Sequence, residues 1–302
     1  MTDIPFDDSL IGLVEPVGLP EQVAETWREA YLEPICRWLP IADATWRAWP
    51  DRPNCGHFYG GSYWYGIETA YPILTYAVAW RAARAFGCDC AVPADAMLAH
   101  AIAAIRYLGF THDSGPEECV RAAGGNEVCS GTKWGGAGKP FFPASQTGSA
   151  VAHMCLGAWL LWEELDDETR QLTVNVAQWY ADRWCDEEPR PGVYINTLTE
   201  ENGWTAQGLD IGACLLGGHP RSEQWREAAE LWLTNVTVVP EDRRVRRPMT
   251  MGATSHPDFS TENHGFVHPA YLASAIGFAG NCLIHRTLAG MDVPDALRFN
   301  RE

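Results

Sequence analysis

The sequence predicts an all-α fold built of antiparallel helix pairs, and three observations carry that reading. Apolar residues recur at helical spacing in one stretch after another, strand-like alternation is missing, and glycine-rich segments separate the helical stretches. With 302 residues, 46% hydrophobic and 20% charged, the chain has the apolar content to bury a substantial core. Helix pairs in series, with glycine-rich loops gathered at one end, suggest an α/α toroid, complete or incomplete. Residues 1–302 are read as a single domain of this kind, with no β-sandwich after it.

The first helix is expected over 21–38, where Trp27, Tyr31 and Ile35 recur every four residues and Pro34 introduces a kink. Residues 66–86 are apolar nearly all round, which predicts a helix buried on most sides, with Pro72 in its first turns and Glu68 as its polar exception. Helical patterns follow at 95–109, 148–165 and 167–184. Only Asp166 separates the last two, which suits a tight antiparallel pair whose second member is capped by Asp166 or Asp167. Helices are also expected at 203–216, closed by Gly217-Gly218, at 222–236, and at 269–289, with Pro269 at the first position and Gly290 past the end. Trp159, Trp162, Trp179 and Trp232 fall at helical spacing and are read as core. The segments 110–147 and 237–268 are long loops, the kind that carry function.

The net charge of −17 repels polyanions and argues against nucleic acid as a partner. The cluster Arg243, Arg244, Arg246 and Arg247 is read as a solvated loop. No apolar run approaches the ~20 residues needed to cross a bilayer, so no membrane partner is expected. The N-terminal MTDIPFDDSL lacks the order of a signal peptide, and ten cysteines are scattered through helical stretches, so a cytoplasmic protein with buried thiols is expected. Cys88 and Cys90 are too closely spaced for a zinc or redox motif, while Cys119 and Cys129 flank a glycine-rich loop and could pair.

The densest chemistry lies between Ser260 and Tyr271, where Glu262, Asn263, His264, His268 and Tyr271 surround a glycine and a helix-starting proline. The segment Thr199-Glu-Glu-Asn-Gly-Trp204 repeats the order hydroxyl, acid, amide, glycine. These two motifs, with Gly157-Ala-Trp-Leu-Leu-Trp-Glu-Glu-Leu165 and Trp232-Leu-Thr-Asn235, resemble the helical domain of the heparinase II/III-like polysaccharide lyases. The resemblance implies β-elimination on a uronate glycan, Asn202 holding the substrate carboxylate, and His264 and Tyr271 near the proton transfers. Such lyases usually continue into a β-sandwich, whereas this sequence stops at Glu302, which raises the reading of a fragment or short form.

β-Elimination needs a neutralised carboxylate, a base and an acid. The assignment is therefore Asn202 and Asn263 as carboxylate and hydroxyl binders, His264 with His268 as alternate for base or neutraliser, and Tyr271 or Tyr194 as acid. Glu201 and Glu262 join them as substrate contacts, and Tyr63, Trp64, Tyr65 and the loop residue Trp134 are read as sugar-stacking aromatics. Asn202 could equally cap the helix that follows it. His264, His268 and Glu262 or His256 have metal-ligand character, but Gly265 and Pro269 interrupt the helix that would align them, so neither metal nor cofactor is expected. The expected partner is an acidic oligo- or polysaccharide, and a homo-oligomer is compatible. Competing readings are a glycoside hydrolase using Glu68, Glu200, Glu201 or Glu262, a small-molecule lyase or isomerase, and a helical binding protein without turnover.

Overall fold

A computed structural model describes residues 7–12, 21–87, 90–193, 195–236, 254–258, 260–294 and 297. Among them the chain forms helices α1 (Glu21–Asp43), α2 (Ile67–Phe86), α3 (Ala94–Thr111), α4 (Phe141–Leu160), α5 (Asp167–Trp184), α6 (Thr199–Leu215), α7 (Ser222–Val236) and α8 (Pro269–Leu288). Strands are confined to two antiparallel pairs of two-residue strands, β1–β2 (Arg47–Ala48, Gly56–His57) and β3–β4 (Glu262–Asn263, Phe266–Val267). The all-α class holds. No helix among the described residues is long and apolar enough to cross a membrane.

The chain divides into two compact units. The first comprises the described parts of Met1–Asp8, Pro16–Gly138 and His153–Val176. Its core is the α2–α3 packing, where Ile73, Tyr76 and Ala77 of α2 and Ala101, Ala104, Ile105 and Leu108 of α3 are fully buried. Asp166 caps α5 as the sequence indicates, its Oδ1 accepting the Thr169 amide at 2.8 Å.

Helix α1 departs from its pattern. It runs on past Pro34 and Pro40, and its anchor is the C-terminal end, where Leu39 and Ala42 are buried. Trp27 and Tyr31, which share the face that the repeat defines, are 57% and 65% exposed. The four-residue repeat gives the helix its face; it does not supply something to cover that face.

Thiols are not free throughout as expected, because Cys36 of α1 is disulfide-bonded to Cys90, 54 residues on. Cys119 and Cys129 are buried and unpaired, and Cys88 lies outside the described residues. Closing a loop of this length stabilises by about 4 kcal/mol in the chain-entropy account. Reduction is therefore expected to lower the melting temperature of the first unit, read by calorimetry with and without a reductant, and a Cys36→Ser variant should no longer respond.

The second unit comprises the described parts of Ser9–Glu15, Lys139–Ala152 and Ala177–Glu302. At its centre is α6, buried along nearly its whole length. A helix with so few charges is stable only when surrounded. Glycines make the close approaches feasible: a Cβ at Gly148 would lie 2.4 Å from the Tyr180 hydroxyl, and one at Gly203 would meet the Phe278 ring. The start of α4 at Phe141 shortens the expected 110–147 loop, because Ser145, Gln146 and Thr147 are buried within the helix. Trp159, Trp162 and Trp232 are buried as read, while Trp179 is half-buried.

Candidate functional site

The β3–β4 hairpin turns through His264 and Gly265, at φ +54° and +85°. Two consecutive left-handed residues define a type I′ turn, which favours Asn-Gly or Asp-Gly. Histidine at the first position adopts a conformation that most residues with a side chain avoid. Gly265 donates its amide to the Ile195 carbonyl at 2.9 Å, and Thr197 donates to the Glu262 carbonyl through its amide at 2.9 Å and its hydroxyl at 3.0 Å. These bonds hold the hairpin against the segment entering α6.

That juxtaposition forms a pit of about 10 Å³, room for about one water molecule, lined by Glu200, Glu201, Thr261, Glu262, Asn263 and Tyr271 among others. Asn263 Nδ2 donates to Glu200 Oε2 at 3.1 Å, and its Oδ1 accepts the His264 amide at 2.9 Å. Glu262 pairs with His256 at 3.2 Å. Burial pushes the Glu200 carboxyl up, against the opposing pull of Asn263 and of nearby His264. Glu201 is only 2% exposed, and its Oε2 has no hydrogen-bond partner among the described residues. Burial, with a smaller contribution from the neighbouring Glu200 charge, pushes its carboxyl up to about 7. The rings of His264 and Tyr271 lie 6.1 Å apart, and Phe266, half exposed, lies 6.3 Å from Tyr271.

The remaining sequence candidates fall elsewhere. Asn202 is fully buried and its amide is fully engaged: Nδ2 donates to the Arg190 carbonyl at 3.0 Å and the Leu198 carbonyl at 2.9 Å, and Oδ1 accepts the Arg190 amide at 2.9 Å. It thereby stabilises Leu198, which enters α6 at φ +55°. Its substrate-clamp role is corrected to a structural one, though not the N-cap that its place before an apolar run suggests. His268 is the N-cap of α8, its Nδ1 accepting the Ala270 amide at 3.1 Å. Trp134 is 1% exposed and donates its indole N–H to the Leu108 carbonyl at 2.9 Å, so it belongs to the core. Tyr194 and the arginines 243–247 lie outside the described residues.

Tyr63, Trp64 and Tyr65 belong to the first unit, where Tyr63 is 65% exposed and the Trp64 and Tyr65 rings are 5.0 Å apart. There Glu68 Oε2 accepts the Trp64 amide at 3.3 Å, Oε1 is buried without a hydrogen-bond partner among the described residues, and burial raises its carboxyl.

Glu200 is the residue the lyase assignment left out. The signal for it was its place one residue before Glu201, in the first turn of a helix with no solvated face. No protein-family model matches this chain, and no curated protein or solved structure matches it.

Proposed function

We propose that the chain is a polysaccharide lyase-like enzyme that cleaves a uronate-containing glycan by β-elimination, as its resemblance to heparinase II/III-like lyases implies. Its chemistry is centred on Glu200, Glu201, His264 and Tyr271, without Asn202. The observation that carries the reading is Glu201, a buried carboxyl with an oxygen that has no hydrogen-bond partner among the described residues, on the wall of the pit that Glu200 and Tyr271 also line.

A sugar ring cannot enter a space of about 10 Å³, so only the tip of a substituent does, and the ring rests outside against Phe266 and Tyr271. The protonated Glu201 donates a hydrogen bond to the uronate carboxylate and lowers the pKa of the C5 proton. His264 removes that proton while the Glu200 carboxylate stabilises the imidazolium. The C4=C5 double bond forms as the C4–O bond breaks, and Tyr271 delivers a proton to the departing oxygen.

A second reading, glycoside hydrolysis, draws support from two adjacent carboxyls that are both raised. It adds water and leaves no conjugated double bond. The test is a panel of uronate polysaccharides followed by ultraviolet absorbance of the unsaturated product and, in parallel, by reducing ends. Wild type is expected to generate both signals, and His264→Asn to lose both by at least about 100-fold, because Asn suits the type I′ turn and leaves the hairpin intact. Reducing ends without absorbance would favour hydrolysis, and silence in both assays would remove the enzyme reading.

A further inference from the structure

Away from the pit, α6 and α8 share a second polar cluster that the acid–base chemistry does not use. Asp210 is the lone charged residue in the apolar run Leu209-Asp-Ile-Gly-Ala-Cys-Leu-Leu216. One of its carboxylate oxygens, the Cys282 thiol and a ring nitrogen of His285 lie within 4.8 Å of one another, and all three residues are buried. Cys282 and His285 are three apart on α8, so they share a face; Asp210 and Cys214 are four apart on α6 and do the same. The Cys214 thiol lies 3.8 Å from Met291 Sδ, outside this cluster.

We propose that Asp210, Cys282 and His285 form a buried site for a zinc-type divalent cation that ties α6 to α8. The ligand chemistry fits, because thiolate, imidazole and carboxylate together favour zinc. The spacing fits as well. His285 Nδ1 and Asp210 Oδ2 are 3.2 Å apart, close to the about 3.4 Å separating two such ligands on one tetrahedral zinc. Asp210 Oδ1 is meanwhile fixed by Arg286 Nε at 2.6 Å, the outer hydrogen bond that orients a ligating carboxylate. Arg286 is itself paired with Glu230 at 2.7 Å. One thiolate and one carboxylate then balance a dication, and the proton leaving Cys282 passes to solvent as the ion binds. The brace would hold α8, which carries Tyr271, to α6, which carries Glu200 and Glu201.

The test uses the full chain, treated with chelator, dialysed and titrated with Co²⁺ and then Zn²⁺. Expected are tetrahedral cobalt bands with a thiolate charge-transfer band saturating at about one equivalent, their displacement by zinc, and a rise in melting temperature on adding zinc. Cys282→Ser should lose the charge-transfer band; if that variant fails to fold, the wild-type cobalt spectrum and zinc-dependent melting decide alone. Cobalt bound without a thiolate band, a band unchanged in Cys282→Ser, or melting indifferent to zinc would overturn the site.

Discussion

Asn202→Ala is expected to destabilise the second unit by about 2–4 kcal/mol, because it strips partners from the backbone of Arg190 and Leu198 at once. The loss is amplified by geometry. Leu198 stands at φ +55°, a conformation unfavourable to a side chain, and the Asn196 and Asn202 side chains bond its amide and carbonyl there at the entry to α6, beside a backbone bond from the Asn202 amide that the variant keeps. Denaturant melts should show the lower midpoint. Activity per folded molecule should stay within a few-fold of wild type, whereas a carboxylate clamp would lose turnover with little change in stability. Asn202→Asp is a harsher version of the same test, since it replaces both donors with acceptors facing two carbonyls.

Raising the pH should weaken the fold through Glu201. Its native carboxyl titrates at about 7 against an ordinary value of 4.5, so between those values the native state holds a proton that the unfolded chain has released. Stability therefore falls as pH rises through this window, and is lowest above it. The shift corresponds to about 3 kcal/mol, and Glu200, raised in the same direction, adds to the trend. Glu201→Gln keeps a neutral group of the same shape and should flatten the dependence. Chemical denaturation at pH 5 and pH 8.5 for both proteins reads the difference directly; equal slopes in wild type and variant would mean that Glu201 does not carry the proton.

Helix boundaries were legible where a local signal marks them. Asp166 caps α5, Pro269 opens α8, and the Gly217-Gly218 pair follows the end of α6. The apolar continuity of 67–86 forecast a buried helix because composition alone requires one. What pattern could not reveal was partnership. Trp27 and Tyr31 have helical spacing but stay exposed, and Trp134 sits in a glycine-rich loop but packs into the core. The motif around 199–204 drew attention to the right turn of α6 and to the wrong side chain in it. Successive residues point in different directions on a helix, so Asn202 turns to the Arg190 backbone while Glu200 and Glu201 reach the pit. The Asp210 cluster gave a fainter signal, a single acid inside an apolar helix, whose meaning depends on the His285 and Arg286 brought to it from α8.

The central claim is that a protonated Glu201 neutralises the substrate, and the pH profile of kcat/KM on whichever uronate glycan the wild type cleaves tests it most directly. Activity should fall above pH 7 as Glu201 ionises. Glu201→Gln, whose amide still donates a hydrogen bond at every pH, should retain turnover and lose that alkaline fall. A variant whose profile still falls at the same pH, or a wild type with no fall there, would contradict the account.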